Sequence, residues 1–281
     1  MKDLNEYFRF DDENEKPLEI LLENGGFSAI FRSVGCIGDS LSSGELEATK
    51  LDGTRSCHDY FEHSWGQYMA RINGSKVYNF SRGGMSAREY CETFAEARGF
   101  WNTELAAEAY IIALGVNDVS QAAARRKNPE DPVYLGDPEK DIDLSDWHNS
   151  GNSFIGYYAR IIQRMREISP KCRIFFMTCP RQTDLPDWRD AAYDLHRELL
   201  YRLTEIFEFT YVIDLRRDAP VYDENVKKHF FMGGHMNTMG YLLTARLVTT
   251  YIDYIIRHNS DDFMQAGFIG KGGVHNELFK W

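Results

Sequence analysis

Five short apolar runs rich in strand-forming residues recur along the chain, at 33–38, 76–80, 109–114, 173–178 and 210–214. Near-continuous apolar character, rather than strict alternation, marks strands buried on both faces, as in a parallel sheet. Between these runs the apolar positions shift to a spacing of three and four, which predicts helices over 59–72, 87–98, 153–168, 188–207 and 239–258. In the third of these, Phe154, Tyr157, Tyr158, Ile161, Ile162 and Met165 share one face. Strand and helix in alternation imply an α/β fold in which helices cover both faces of one sheet.

Two segments break the alternation. The stretch 119–152 is long, polar and rich in aspartate (Asp131, Asp137, Asp141, Asp143, Asp146), with Tyr134 and Trp147 within it. A connection of that length reads either as a lid or wall of a binding site or as a solvated excursion over a sheet edge. Residues 260–281 carry Phe263, Phe268, Ile269, Leu278, Phe279 and Trp281 among glycines. Such a tail is expected to dock on the body or on a second copy, which leaves a homodimer open. At the other end a charged lead (Asp11, Asp12, Glu13, Glu15, Lys16) precedes Leu18, Ile20, Leu21 and Leu22, an expected short amphipathic element packed on the body. The chain thus divides into an extension at 1–32, one α/β domain at 33–259 containing the 119–152 insertion, and a tail at 260–281.

Composition narrows the function classes. With 281 residues, 43% apolar and 27% charged, the chain has the length and usage of an ordinary globule rather than a disordered or fibrous one. A net charge of −11 opposes a sequence-independent grip on phosphate backbones or anionic membranes, so neither nucleic acid nor membrane is an expected partner. The polar start Met1-Lys2-Asp3-Leu4-Asn5-Glu6 has no basic-then-apolar export pattern, which makes the cytoplasm the expected compartment. Five cysteines, odd in number and without C-x-x-C spacing, suggest neither a disulfide framework nor a zinc cluster, and free thiols are expected.

The candidate chemistry collects at strand ends. Gly38-Asp39-Ser40-Leu41 follows the first strand, and Asn79-Phe80-Ser81-Arg82-Gly83-Gly84 the second. Gly115-Val116-Asn117-Asp118 follows the third, and Gly233-Gly234-His235-Met236-Asn237 precedes the last helix. In a parallel sheet these positions converge on one crevice. Acyl transfer through a serine needs a hydroxyl, a base and donors aimed at the developing oxyanion. Ser40 supplies the first and His235 the second; a main-chain N–H at Gly84 and the Asn117 carboxamide supply donors. Gly83 stands beside Gly84 at a spacing that does not choose between them. Asp39 reads as a structural residue that orders the turn after the strand. There is no Walker loop, G-x-G-x-x-G or G-x-S-x-G, and no histidine pair spaced for a metal.

These four blocks, in this order over residues 34–241, resemble the SGNH (GDSL) hydrolases. The resemblance implies a three-layer α/β/α sandwich of flavodoxin-like type with a five-stranded parallel sheet. It also implies ester hydrolysis without metal or cofactor, through an acyl-enzyme on Ser40. By the same resemblance His235 is the base, and the Ser40 N–H, Gly84 and Asn117 form the oxyanion hole. The expected substrate is a small-molecule carboxylic ester, with short acyl groups on a small or carbohydrate alcohol. One position departs from the family, which places an aspartate three residues before the histidine; Met232 stands there. An acid in that role is worth about 10⁴ in rate. The favoured reading is a Ser–His dyad in which a main-chain carbonyl near Met232 accepts the Nδ1 proton; an acid from elsewhere, Asp223 or Glu224, is the alternative. The missing aspartate also motivates a second reading, a catalytically weak or inactive binding protein that keeps the crevice. A flavodoxin-like nucleotide binder is a third, on fold analogy alone.

Overall fold

The computed structural model describes residues 14–264. Its strands are β1 (Ser33–Gly38), β2 (Glu45–Thr49), β3 (Arg55–Asp59), β4 (Lys76–Ser81), β5 (Ala109–Ala113), β6 (Arg173–Met177), β7 (Thr210–Ile213), β8 (Phe231–Met232) and β9 (His235–Met236). Five of them form one parallel sheet in the order β4-β1-β5-β6-β7. The fold class is the expected one, and the strand bounds fall within a residue of those read from the apolar runs. Ile37 of β1 lies between Phe80 of β4 and Ile112 of β5 in register, so β1 is an interior strand, paired on both sides.

Period-two geometry divides each strand between two cores. Val34, Cys36, Ala109, Ile111, Phe175 and Ile213 pack with Trp65, Met69, Tyr241, Ala245 and Val248, on the helices Trp65–Asn73 and Thr238–His258. Ile37, Tyr110, Ile112, Ile174, Phe176 and Val212 pack with Tyr90, Tyr158, Ile161, Ile162, Leu200 and Leu203 on the opposite face. The last two helices there are Phe154–Ile168 and Asp187–Ile206. The helix expected from residue 59 begins at Trp65, because Ser64 accepts the Gln67 N–H and caps it after a 3-10 turn at Phe61–His63. The one expected over 87–98 runs as Ala87–Glu89, a π turn at Tyr90–Phe94 and Ala95–Ala97.

The connections carry more structure than their polarity suggests. A helix, Val116–Ala124, extends into the 119–152 segment, and helical turns follow at Pro138–Asp141 and Trp147–Asn149. Val133 and Leu135 are buried in the core, so the segment is anchored on the body rather than solvated along its length. Near the start, Leu18 and Leu21 pack on the body while Ile20 is exposed, and 18–22 is irregular, not a helix. Asp11, Asp12 and Glu13 lie outside the described residues, as do Phe268, Ile269, Leu278, Phe279 and Trp281. Phe263 is buried against Phe31, Phe175 and Tyr211. No helix among the described residues is long and apolar enough to cross a membrane.

Ile37 is fully buried between two strands and beneath a helical layer. Urea unfolding should therefore place Ile37→Ala about 2–5 kcal/mol below wild type. Leu51→Ala, at a fully exposed tip, should stay within about 0.5 kcal/mol.

Candidate active site

β1 delivers its last residue, Gly38, to the carboxyl edge of the sheet, and the chain turns there into a one-turn helix, Ser40–Ser43. Asp39 caps that turn by accepting the Leu41 N–H at 3.1 Å. Ser40 thus stands as the first helical residue outside the sheet edge, where open α/β sheets hold ligands. It lines a cavity of about 280 Å³ with Asp39, Asn117, Gly234 and His235. Ser40 and His235 share no direct hydrogen bond; such contacts commonly close only around substrate.

The donors expected for an oxyanion fall on two turns. Asn117 opens the helix Val116–Ala124, and its Nδ2 donates to the Met85 carbonyl at 3.1 Å and, more loosely, to Asp39 Oδ2 at 3.4 Å. One N–H is therefore fixed and the other lightly held. Gly84 lies on the turn after β4, beside Met85 and outside the residues that line the cavity. Its φ of 72° is one that side chains other than glycine's rarely adopt, and a Cβ there would meet open space. At Gly83 a Cβ would instead run into the Glu45 carboxylate. The main-chain N–H groups of Ser40 and Gly84 have no acceptor among the described residues.

His235 opens β9, in a hairpin where Met232 pairs with His235 across Gly233-Gly234. Its Nδ1 hydrogen-bonds Glu47 Oε1 at 2.8 Å, and the same oxygen accepts the Gly234 N–H at 2.7 Å. The other Glu47 oxygen pairs with Arg55. Gly233 has φ 71°, and a Cβ on it would occupy the space of Arg55 Nη2 and Glu47 Oε2; the glycine pair is what lets the carboxylate reach the ring. The expected partners of His235 are therefore corrected. No carbonyl near Met232 takes Nδ1; the Met232 residue is 43% exposed. Asp223 does not reach the ring either: it caps the helix Glu224–Phe230 by accepting the Val226 N–H. An acid on β2, far from His235 in sequence and close in space, holds the place.

Glu47 was missed because the segment after Ser40 offers only Leu46 and Ala48 as apolar strand positions, too few to stand out. It is a hairpin: β2 and β3 pair antiparallel, Glu47 opposite Cys57 and Glu45 opposite Asp59. Alternation along β2 puts Glu45 and Glu47 on one face. The available signal was Asp52-Gly53, a strong two-residue hairpin cue flanked here by strands too polar to look like strands.

Electrostatics set the carboxylates apart. Burial raises Glu47, but the hydrogen bonds from His235 and the Gly234 N–H, with the Arg55 charge, outweigh it and hold the group below its usual range. Burial pushes Asp39 up to about 6 against the downward pull of the Leu41 N–H and the His235 ring. Asp118, whose two oxygens meet the Ala87 N–H at 3.0 and 3.2 Å, is pushed by burial to about 7. The other histidine facing this edge, His196, is fully buried with Nε2 on the Leu114 carbonyl; burial lowers it to about 4, so it stays neutral.

Comparisons place this architecture among known proteins. A family two carbohydrate esterase from Clostridium thermocellum in complex with cellohexaose superposes with a TM-score of 0.54 at 14% identity, over 80% of this chain and 64% of that one. A carbohydrate acetylesterase from Sinorhizobium meliloti gives 0.50 at 13%, over 80% and 99%. A protein from Lactobacillus plantarum gives 0.54 at 15%, over 80% and 97%. At such identities the likeness is one of fold. No curated protein sequence matches the chain. The profile of the GDSL-like Lipase/Acylhydrolase family matches residues 36–243, a span that includes Ser40, Glu47, Asn117 and His235. The chain belongs to that family, and with it to the carboxylic ester hydrolases.

Proposed function

We propose that the chain hydrolyses carboxylic esters through an acyl-enzyme on Ser40, with His235 as base and Glu47 as the acid that orients it. The observation that carries this reading is the 2.8 Å bond from His235 Nδ1 to Glu47, in a cavity that Ser40 also lines. With Nδ1–H held by the carboxylate, the lone pair lies on Nε2, the nitrogen that takes a hydroxyl proton. Ser40 Oγ bonds to the acyl carbon as its proton moves to Nε2. The carbonyl oxygen, now anionic, takes hydrogen bonds from the Ser40 N–H and from the lightly held Asn117 N–H. Each such donor is worth about 3 kcal/mol of barrier. The alcohol leaves with the proton from Nε2, and water repeats the sequence in reverse to release the acid and Ser40.

A cavity of about 280 Å³ suits a short acyl group better than a long chain. Neighbours named as a carbohydrate esterase and a carbohydrate acetylesterase support a carbohydrate alcohol. The five cysteines are all free, which supports a reducing compartment such as the cytoplasm. The binding-protein reading drew on the missing aspartate, and Glu47 removes its motive.

Two measurements test this reading. Wild type should hydrolyse p-nitrophenyl acetate and take one fluorophosphonate adduct, both lost in Ser40→Ala. Glu47→Gln should lower kcat by about 10³–10⁴-fold, while Asp223→Asn, which alters only a helix cap, should stay within about twofold. Equal losses in the two variants would remove Glu47 from its role.

Asp39 acts on stability, and pH reveals it. Its folded value of about 6 lies above the ordinary 3.8, so its favourable contribution is complete below pH 4 and is lost as pH rises through 6. Asp39→Asn keeps a capping side chain without that titration. Relative to wild type, this variant should gain about 3 kcal/mol between pH 3 and pH 7.5 in urea unfolding; a pH-independent difference would refute the assignment.

A further inference from the structure

The face of the β2–β3 hairpin that carries Glu47 also carries Glu45 and Cys57. Glu45 Oε1 lies 3.4 Å from His235 Nε2. One ligand atom from each of Glu45, Cys57 and His235 falls within 4.8 Å of the other two. We propose that this trio is an inhibitory zinc site.

The donor set selects the metal. A thiolate, an imidazole nitrogen and a carboxylate oxygen are the three ligand types of zinc, bound at about 2.0–2.3 Å, and a soft sulfur disfavours magnesium and calcium. Three protein ligands with an open fourth position make a tetrahedral site that water completes. Its outer support is already in place, because a ligating histidine donates its other N–H to a carboxylate, and Glu47 accepts from Nδ1. On binding, Zn²⁺ takes the Nε2 lone pair, one Glu45 oxygen and the Cys57 sulfur, whose proton passes to solvent. The side chains draw inward by rotation, led by the exposed Cys57.

The bond that orients Nε2 for a proton therefore also orients it for a metal, and the two uses exclude each other. While zinc holds that lone pair, the Ser40 proton has no acceptor and hydrolysis stops. This inhibitory half rests on the proposed Ser40–His235 chemistry; the metal site itself does not.

Cobalt titration of chelator-stripped protein reads the site without turnover. One equivalent of Co²⁺ should produce a thiolate-to-cobalt charge-transfer band that Zn²⁺ abolishes. The band should persist in Ser40→Ala, vanish in Cys57→Ala and weaken by about tenfold or more in apparent affinity in Glu45→Gln. In parallel, Zn²⁺ should suppress p-nitrophenyl acetate hydrolysis over the range in which it displaces cobalt. In Cys57→Ala, each rate taken against its own metal-free value, suppression should need about tenfold more zinc or greater. An absent band, or one that survives Cys57→Ala, overturns the site. A rate unchanged or raised by bound zinc overturns the inhibition. Failure of the metal-free protein to turn over ester at all, with the cobalt band intact, would count against the hydrolase reading and not the site.

Discussion

One carboxylate oxygen joins the two halves of the candidate site. Glu47 Oε1 accepts from the His235 ring and from the Gly234 N–H, which fixes both the rotation of the imidazole and the path of the loop that bears it. The partners lie 188 residues apart, so neither hairpin alone could set this geometry. The second oxygen is held by Arg55 from the next strand, and Tyr241 of the last helix pins the hairpin by donating to the Glu45 carbonyl at 2.7 Å. Glu47 is thus held by its own hairpin before it holds the His235 ring, the kind of outer support that sites of narrow tolerance need.

The sheet makes that bond possible by bringing strand ends to one edge. β1 leads to Ser40, β5 to Asn117, and β4 to the turn at Gly84, with β1 between the other two. A site built on adjoining strands inherits the rigidity of two apolar cores. The same crowding buries Asp39 and Asp118 near each other, and both titrate above the ordinary aspartate range in consequence. Main-chain N–H groups compensate part of that burial, through Leu41 for one and Ala87 for the other.

The scaffold was legible because its strands are apolar on both faces and its helices are not: Ala109-Tyr110-Ile111-Ile112 and the stripe from Phe154 to Met165 admit few other readings. Ser40, Asn117 and His235 were placed by their positions after or before such elements. Glu47 was not, for two physical reasons. Its hairpin is too short and too polar to stand out: Glu45-Leu46-Glu47-Ala48 alternates, but sets only one large apolar side chain, Leu46, against the core. Met232, in turn, invited a search for an acid nearby in sequence, at Asp223 or Glu224, whereas a carboxylate serves a histidine from any position that the fold brings to 2.8 Å. Likewise Val133 and Leu135, two apolar positions in a polar stretch, were enough to tie the 119–152 segment to the core.

Placing the acid on an appended hairpin separates the endurance of the scaffold from that of the machinery. Leu51 at its tip stands wholly in water and most of β3 is exposed, so this ribbon is the part of the edge best able to open while the five-stranded sheet stays closed. Such an opening would part the Glu47 carboxylate from the His235 ring while the architecture beneath stays folded.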